Sequence, residues 1–207
     1  MLKFKVWIIQ KFYRIALFWW KWWSMSYRWL YHRNYSKTLL TGDLTPQEVQ
    51  ENLDLVKWTK DGTRELWDSC GSPHWVQHVI NEIKANGNQP EGALDCDDFT
   101  SWACAVVDKS YEPRIFSFTW VGRTLDEKGA SKHKIQGHAM CLLKQKDLDQ
   151  IFHVGNWGTS ASGNNLRELC IDVMTRANAS QAIGWALLDT KLNVIDYGAE
   201  LPDEKVK

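Results

Sequence analysis

The strongest constraint on the fold is the uneven distribution of charge and aromatic side chains. Residues 1–42 contain eight Lys or Arg and no Asp or Glu, and half of all Phe, Tyr and Trp fall within the first 37 residues. The remaining chain is therefore acidic, although the formal net charge of the whole is zero. Apolar residues make up 44% of the chain, so we expect a packed core rather than disorder. We predict a basic aromatic arm over residues 1–41 and a domain over residues 42–207.

The arm is predicted to form an amphipathic helix. Charged residues interrupt every apolar stretch before it reaches the roughly 20 residues that a membrane span needs. At roughly 100° per residue, one narrow stripe is polar and mostly basic. This polar stripe contains Lys3, Gln10, Arg14, Lys21, Arg28 and His32. The broad remainder is apolar and includes Ile8, Ile9, Phe12, Ile15, Trp19, Trp20, Trp23 and Trp29.

Two interpretations of the arm stay open. Residues 3–33 could lie in a bilayer interface, with Trp rings at headgroup depth and basic side chains reaching the phosphates. Alternatively, their apolar side docks on the chain's own domain or on a partner subunit and leaves the polar stripe in water. A nucleic acid is a poor candidate, because one narrow stripe makes a weak electrostatic groove.

The domain pattern predicts the α+β class. A capping box at residues 45–48 opens a helix to about residue 58, and Ser72-Pro73 opens a second that stops at Asn86-Gly87. A short buried helix follows Cys96. Strands are expected at 115–121, 138–143 and 150–154, a helix at 166–177, and a hairpin at 182–195. Helices followed by antiparallel strands are typical of α+β proteins.

Five cysteines without a CxxC motif indicate a reducing compartment, either cytoplasm or virion, and the arm leaves a membrane association open. Most of these cysteines are expected to be buried.

The candidate chemistry lies in Cys96 at a helix start, His138 on a strand and Asn156 after the next strand. A helix N-terminus favours a thiolate, an imidazole can take its proton, and a third group can orient the imidazole ring. A structural role for Cys96 as a core cysteine stays open.

The neighbouring acids Asp95, Asp97 and Asp98 suit the helix dipole but oppose a thiolate, so we expect at least one to face an Arg or a backbone N–H. A divalent-metal site built from them also stays open. His74 and His78 lack a third ligand and are expected on a helix surface.

Three motifs together resemble the transglutaminase-like cysteine peptidase superfamily, in particular its bacterial and phage-encoded branch. They are residues 92–99 (GALDCDDF), the His138-Ala139 pair before an apolar run, and a polar residue after the following strand. The resemblance covers residues 45–200. It implies a papain/transglutaminase-like core, in which a nucleophile-bearing helix packs on an antiparallel sheet.

The resemblance also implies roles for individual residues. Cys96 is the nucleophile, His138 the general base and acid, and Asn156 the orienting residue, where the family more often has Asp. Asp149 and Asp172 are poorer candidates for that third position, and Gln89 is not assigned to an oxyanion hole. The family requires no cofactor and no metal.

These inferences predict thiol-dependent acyl transfer on a peptide or protein substrate, by peptide or isopeptide hydrolysis or by transamidation. The alternative is a phage virion or membrane-associated structural protein that retains an inactive transglutaminase-like domain. The long aromatic arm favours this alternative, because catalysis does not require it.

Overall fold

The computed structural model describes residues 2–59, 70–92, 94–125, 131–145, 151–155, 160–161 and 165–202. The helices are α1 (Leu2–Tyr31), α2 (Pro46–Asp54), α3 (Pro73–Asn86), α4 (Cys96–Val106) and α5 (Leu166–Arg176), and a 3₁₀ helix (Arg33–Lys37) follows α1. The strands are β1 (Tyr111–Leu125), β2 (Ser131–Gln145), β3 (Ile151–Val154), β4 (Ser160–Ala161), β5 (Ala179–Leu188) and β6 (Val194–Ala199).

The described strands form one antiparallel sheet in the order β4-β3-β2-β1-β5-β6. The α+β class predicted from the sequence is confirmed. The first two strands are longer than predicted, because their pairing continues from Tyr111↔Gln145 to Leu125↔Ser131. Residues 122–125 and 131–137, which lie outside the predicted strands, therefore also pair, although Arg123 and residues 131–134 are exposed.

The sheet separates two layers of hydrophobic core. Residues Ile115, Cys141 and Leu143 pack on the side of α2, α3 and α4. Their neighbours along the same strands, such as Phe116 and Met140, pack with α5 on the opposite face. Because both faces are covered, β2 is buried without a break from His138 to Leu143.

Local sequence signals account for the helix ends. Thr45 and Glu48 form the predicted capping box at the start of α2. Ser72 caps α3, and Gly87 ends it in the left-handed conformation that favours glycine, with φ of 71°. Helix α2 ends at Asp54, before the predicted residue 58, because the chain turns there to a bridge between Thr59 and Leu94.

Helix α1 packs on the domain through a side that combines apolar residues with part of the polar stripe. Val6, Tyr13, Leu17 and Ser24 are buried, and Tyr13 and Leu17 belong to the core cluster that contains α4. Four residues of the polar stripe make hydrogen bonds to the domain. Gln10 donates to the Ile183 carbonyl, Lys21 to Asn193, and Arg28 to Cys70 and Ser101, and His32, just after α1, accepts from the Ser72 N–H.

The opposite side of α1 carries its aromatic residues into solvent. We call this surface the outer face of α1. It consists of Phe4, Trp7, Ile8, Phe12, Ile15, Phe18, Trp19, Trp22, Trp23, Met25, Trp29 and Leu30, each at least 36% exposed. Helix α1 therefore docks on the chain's own domain through a narrow side that includes Tyr13 and Leu17, while most of its broad apolar side stays exposed.

Among the residues that the structure describes, no helix combines the length and apolarity needed to cross a membrane.

Candidate active site

Cys96 is the first residue of α4, where the helix presents main-chain N–H groups that have no partner within the helix itself. Asp95 is the N-cap, and its side chain accepts a hydrogen bond from the Asp97 N–H at 3.2 Å. Asp98 returns the bond by accepting from the Asp95 N–H at 3.1 Å, which completes a capping box. The thiol therefore stands at a capped helix N-terminus, where the helix dipole favours a thiolate and the neighbouring carboxylates oppose it.

The Cys96 thiol lies against strand β2. The main-chain N–H of Ala139 points to its Sγ at 3.5 Å, and Sγ lies 4.0 Å from Asp97 Oδ1. Ala139 directly follows His138 in the chain. The structure thus places the Cys96 thiol against the main chain of β2, one residue from His138.

A cavity of about 200 Å³ opens beside this contact. Its wall is formed by α1, the start of α4 and the middle of β1 and β2. The residues around it are Tyr13, Ala16, Leu17, Trp20, Cys96, Asp97, Ile115, Ser117, Thr119, Gly137, His138, Ala139 and Leu188. The arm therefore supplies one wall of the candidate site.

His138 is buried at 6% exposure, and its surroundings favour the neutral imidazole. Burial, together with the charge of nearby His153, lowers its pKa to about 3. The imidazole is therefore uncharged at neutral pH, and a proton on it is costly.

The pleat of β2 determines the face of the sheet on which the His138 side chain lies. Alternation along the strand places the Cβ of His138 on the α5 face, with Met140, whereas Ala139 lies on the α4 face. The Cys96 thiol contacts β2 through the main-chain N–H of Ala139. The His138 side chain therefore points to the α5 face of the sheet, whereas α4, which carries Cys96, packs on the other face.

The acids around Cys96 serve mainly as structural acceptors. Besides capping α4, Asp98 accepts a hydrogen bond from the Gly71 N–H at 2.5 Å. This confirms the expectation that one acid faces backbone N–H groups. Ligand atoms of Asp95, Cys96 and Asp97 lie within 4.8 Å of one another, close enough for one cation, but Asp95 already accepts a main-chain bond.

Other polar residues singled out in the sequence have structural partners. His74 contacts the Thr38 carbonyl at 2.8 Å, and His78 packs against the rings of Tyr35 and Trp75. The side-chain oxygen of Gln89 accepts from the Lys57 N–H, and its amide nitrogen donates to the Lys57 carbonyl. Gln89 therefore holds the main chain at Lys57 in place.

The third member of the predicted triad is not placed. Asn156 and the alternative Asp149 lie outside the described residues. The other alternative, Asp172, lies on α5 and forms an ion pair with Arg176 at 2.8 Å, near His153.

Sequence reasoning missed the arm's part in the site. Tyr13 and Trp20 line the cavity, and Arg28 donates to the Cys70 carbonyl, the Cys70 sulfur and the Ser101 hydroxyl at 2.8–3.0 Å. The contacts of Arg28 join residues 42 to 73 positions apart, so no local sequence pattern predicts them.

Cys96 differs from the other cysteines in its exposure. All five fall within the described residues and all are free thiols, but Cys70, Cys104, Cys141 and Cys170 are buried whereas Cys96 is partly exposed. Burial raises the pKa of Cys70 to about 11 and that of Cys170 to about 12.

The fold and site define an α+β protein with a partly exposed cysteine at a helix N-terminus beside a cavity. The chain matches no protein-family model, no curated protein and no solved structure.

Proposed function

We propose that the protein is a thiol-dependent acyltransferase or peptidase with a papain/transglutaminase-like core. In this proposal Cys96 is the nucleophile, His138 the general base and acid, and Asn156 the orienting residue. The observation that carries it is the position of the Cys96 thiol. The thiol lies in the first turn of α4 and lines the cavity, and its Sγ is 3.5 Å from the main-chain nitrogen of Ala139, the residue after His138.

The proposed chemistry requires the His138 imidazole to reach the Cys96 thiol and to take its proton despite a lowered pKa. A neutral imidazole takes the thiol proton while sulfur attacks the carbonyl carbon of a peptide or isopeptide bond. Main-chain N–H groups at the start of α4 stabilise the negative oxygen that forms. The C–N bond then breaks, the imidazolium returns the proton to the leaving amine, and water or a second amine releases the acyl group from sulfur.

Selective alkylation tests the activated nucleophile. Iodoacetamide near neutral pH is expected to modify Cys96 first, because the four other thiols are buried and the thiolate is the reacting form. Intact-mass spectrometry of native protein and of Cys96→Ser counts the modified thiols, and Cys170→Ser is the matched control. A Cys96 that reacts no faster than a free thiol in a short peptide contradicts the proposal.

Acylation tests the role of His138. An activated ester such as p-nitrophenyl acetate is expected to acylate Cys96, and His138→Ala should slow this step by on the order of a hundredfold or more. His133→Ala, an exposed site on the same strand, should leave the rate unchanged. Equal rates for the two histidine variants would remove His138 from the mechanism.

A second candidate function rests on the outer face of α1. A virion or membrane-associated structural protein that keeps this domain without activity would use that face for assembly. Circular dichroism and the two tests above separate the candidates: a folded protein with an unreactive Cys96 supports the structural role.

A further inference from the structure

The outer face of α1 is a large apolar surface left in water. The helix has 30 residues and is therefore about 45 Å long. Trp19 and Trp29 are 67% and 64% exposed, and Phe4 is 63% exposed. Soluble monomers rarely expose contiguous apolar patches larger than a few hundred Å². We therefore expect another molecule or a lipid surface to cover this face.

The charges around the outer face have one sign. Lys11 lies within it, Lys3 and Arg14 lie along one flank, and Lys5 lies along the other, all exposed. Helix α1 contains no acidic residue. A second copy of the chain docked through the same face would bring these cations together without a compensating acid, which disfavours self-association there.

We propose that the outer face of α1 docks on the surface of an anionic lipid bilayer, with the helix lying in the plane of the interface. The Trp-rich face fits the headgroup region, where indole rings are preferred, and the flanking Lys and Arg fit anionic headgroups. The inner side of α1 stays on the domain through Tyr13, Leu17 and Arg28.

This arrangement sets the orientation of the whole protein. Ala16 and Trp20, which belong to α1, also line the cavity beside Cys96. With the outer face in the interface, the cavity lies one helix diameter from the lipid headgroups. The docking itself does not depend on the thiol chemistry, so protein alkylated at Cys96 binds lipid as before.

Vesicle binding of the full chain tests the proposal. Partitioning is measured by flotation with vesicles of phosphatidylcholine alone and of phosphatidylcholine mixed with phosphatidylglycerol. Binding to the anionic vesicles is expected, weaker at high salt, with Trp fluorescence shifted to the blue and quenched by brominated lipid. Neutral vesicles are expected to bind much less.

Two sets of variants assign the binding to the outer face. Trp19→Ser with Trp22→Ser should lower partitioning more than about tenfold. Its control is Leu39→Ser with Trp58→Ser, which removes exposed apolar side chains outside α1. Lys5→Gln, Lys11→Gln and Arg14→Gln together should lower binding to anionic vesicles by on the order of a hundredfold at low salt. The matched charge control is Lys57→Gln, Lys84→Gln and Arg123→Gln, all exposed.

Several results would overturn the proposal. They are failure of the full chain to bind anionic vesicles, equal binding by face variants and their controls, and equal binding to neutral and anionic vesicles. Light scattering measures the oligomeric state of the full chain and of the variant with Trp19 and Trp22 substituted. If the full chain is a dimer that these substitutions dissociate, and it does not bind vesicles, then a second copy covers the outer face of α1. Circular dichroism verifies that each variant is folded.

Discussion

At the level of single residues, burial decides the charge of the two strand histidines. His138 and His153 are 6% and 4% exposed, and burial is the main cause that lowers the pKa of each. Each imidazole also responds to a nearby positive charge, His138 to His153 and His153 to Arg176. A proton on either ring is therefore costly in the folded protein, and both act as neutral groups at neutral pH.

Acid should destabilise the fold through His138. Its pKa is about 3 in the folded protein and about 6.5 in an unfolded chain, so the unfolded chain binds more protons between those pH values. The free energy of unfolding should therefore fall as the pH drops from 6.5 towards 3, by up to about 1.4 kcal/mol per pH unit from this residue. Urea unfolding at a series of pH values measures the slope.

Substitution isolates the contribution of His138. His138→Gln cannot take up a proton, so its slope between pH 6.5 and 3 should be shallower than that of the original protein. His133→Gln, at an exposed position of β2, should keep the original slope. Identical slopes in all three proteins would show that His138 is not buried in its neutral form.

At the level of elements, the start of α4 is held from two directions. The capping box of Asp95 and Asp98 is local and follows from the sequence DCDD. The second anchor is distant: Asp98 also accepts from the Gly71 N–H, and Arg28 of α1 binds the adjacent Cys70 carbonyl. The position of Cys96 therefore depends on the segment that leads into α3.

Gly71 is expected to be intolerant of a side chain. A Cβ at this position would overlap Asp98 Oδ1 and approach the His32 ring, so Gly71→Ala displaces an acceptor that already holds two N–H groups. We expect a loss of about 1–3 kcal/mol in the free energy of unfolding. Gly42→Ala is the control, because nothing lies within 4 Å of its added Cβ. Equal unfolding midpoints in urea would contradict this packing.

The ends of the elements show where sequence patterns are informative. Caps and turns at Thr45, Ser72 and Gly87 were predictable, because the signal lies within a few residues of the helix end. The ends of β1 and β2 around Arg123 and residues 131–134 were not, because those side chains are exposed and main-chain pairing keeps the strands extended there. Alternation of apolar and polar residues predicts a strand where one face is buried, and it gives no signal where neither face is covered.

At the level of the whole molecule, α1 is a structural part of the domain. Tyr13 and Leu17 are 8% exposed and belong to the core cluster of α2, α3 and α4. Gln10 and Lys21 bond residues more than 170 positions away, on β5 and in the turn before β6. The arm therefore joins the first residues of the chain to the far edge of the sheet.

Removal of residues 1–31 should destabilise the domain. The truncated chain loses the buried Tyr13 and Leu17 and exposes the surface that they cover, so we expect a loss of at least about 3 kcal/mol in the free energy of unfolding. Urea unfolding of full-length and truncated protein measures it. A truncated protein that unfolds at the same urea concentration would show that α1 is not part of the core.

The sequence alone determined the α+β class, the amphipathic nature of the arm and the capping of the main helices. Each of these depends on residues a few positions apart, where side-chain type and spacing act directly. Only the tertiary structure decided which side of α1 meets the domain and that the arm lines the cavity beside Cys96. Those outcomes depend on contacts over 40 to 170 positions, where a few buried hydrogen bonds and close-packed side chains outweighed the larger apolar surface of the helix.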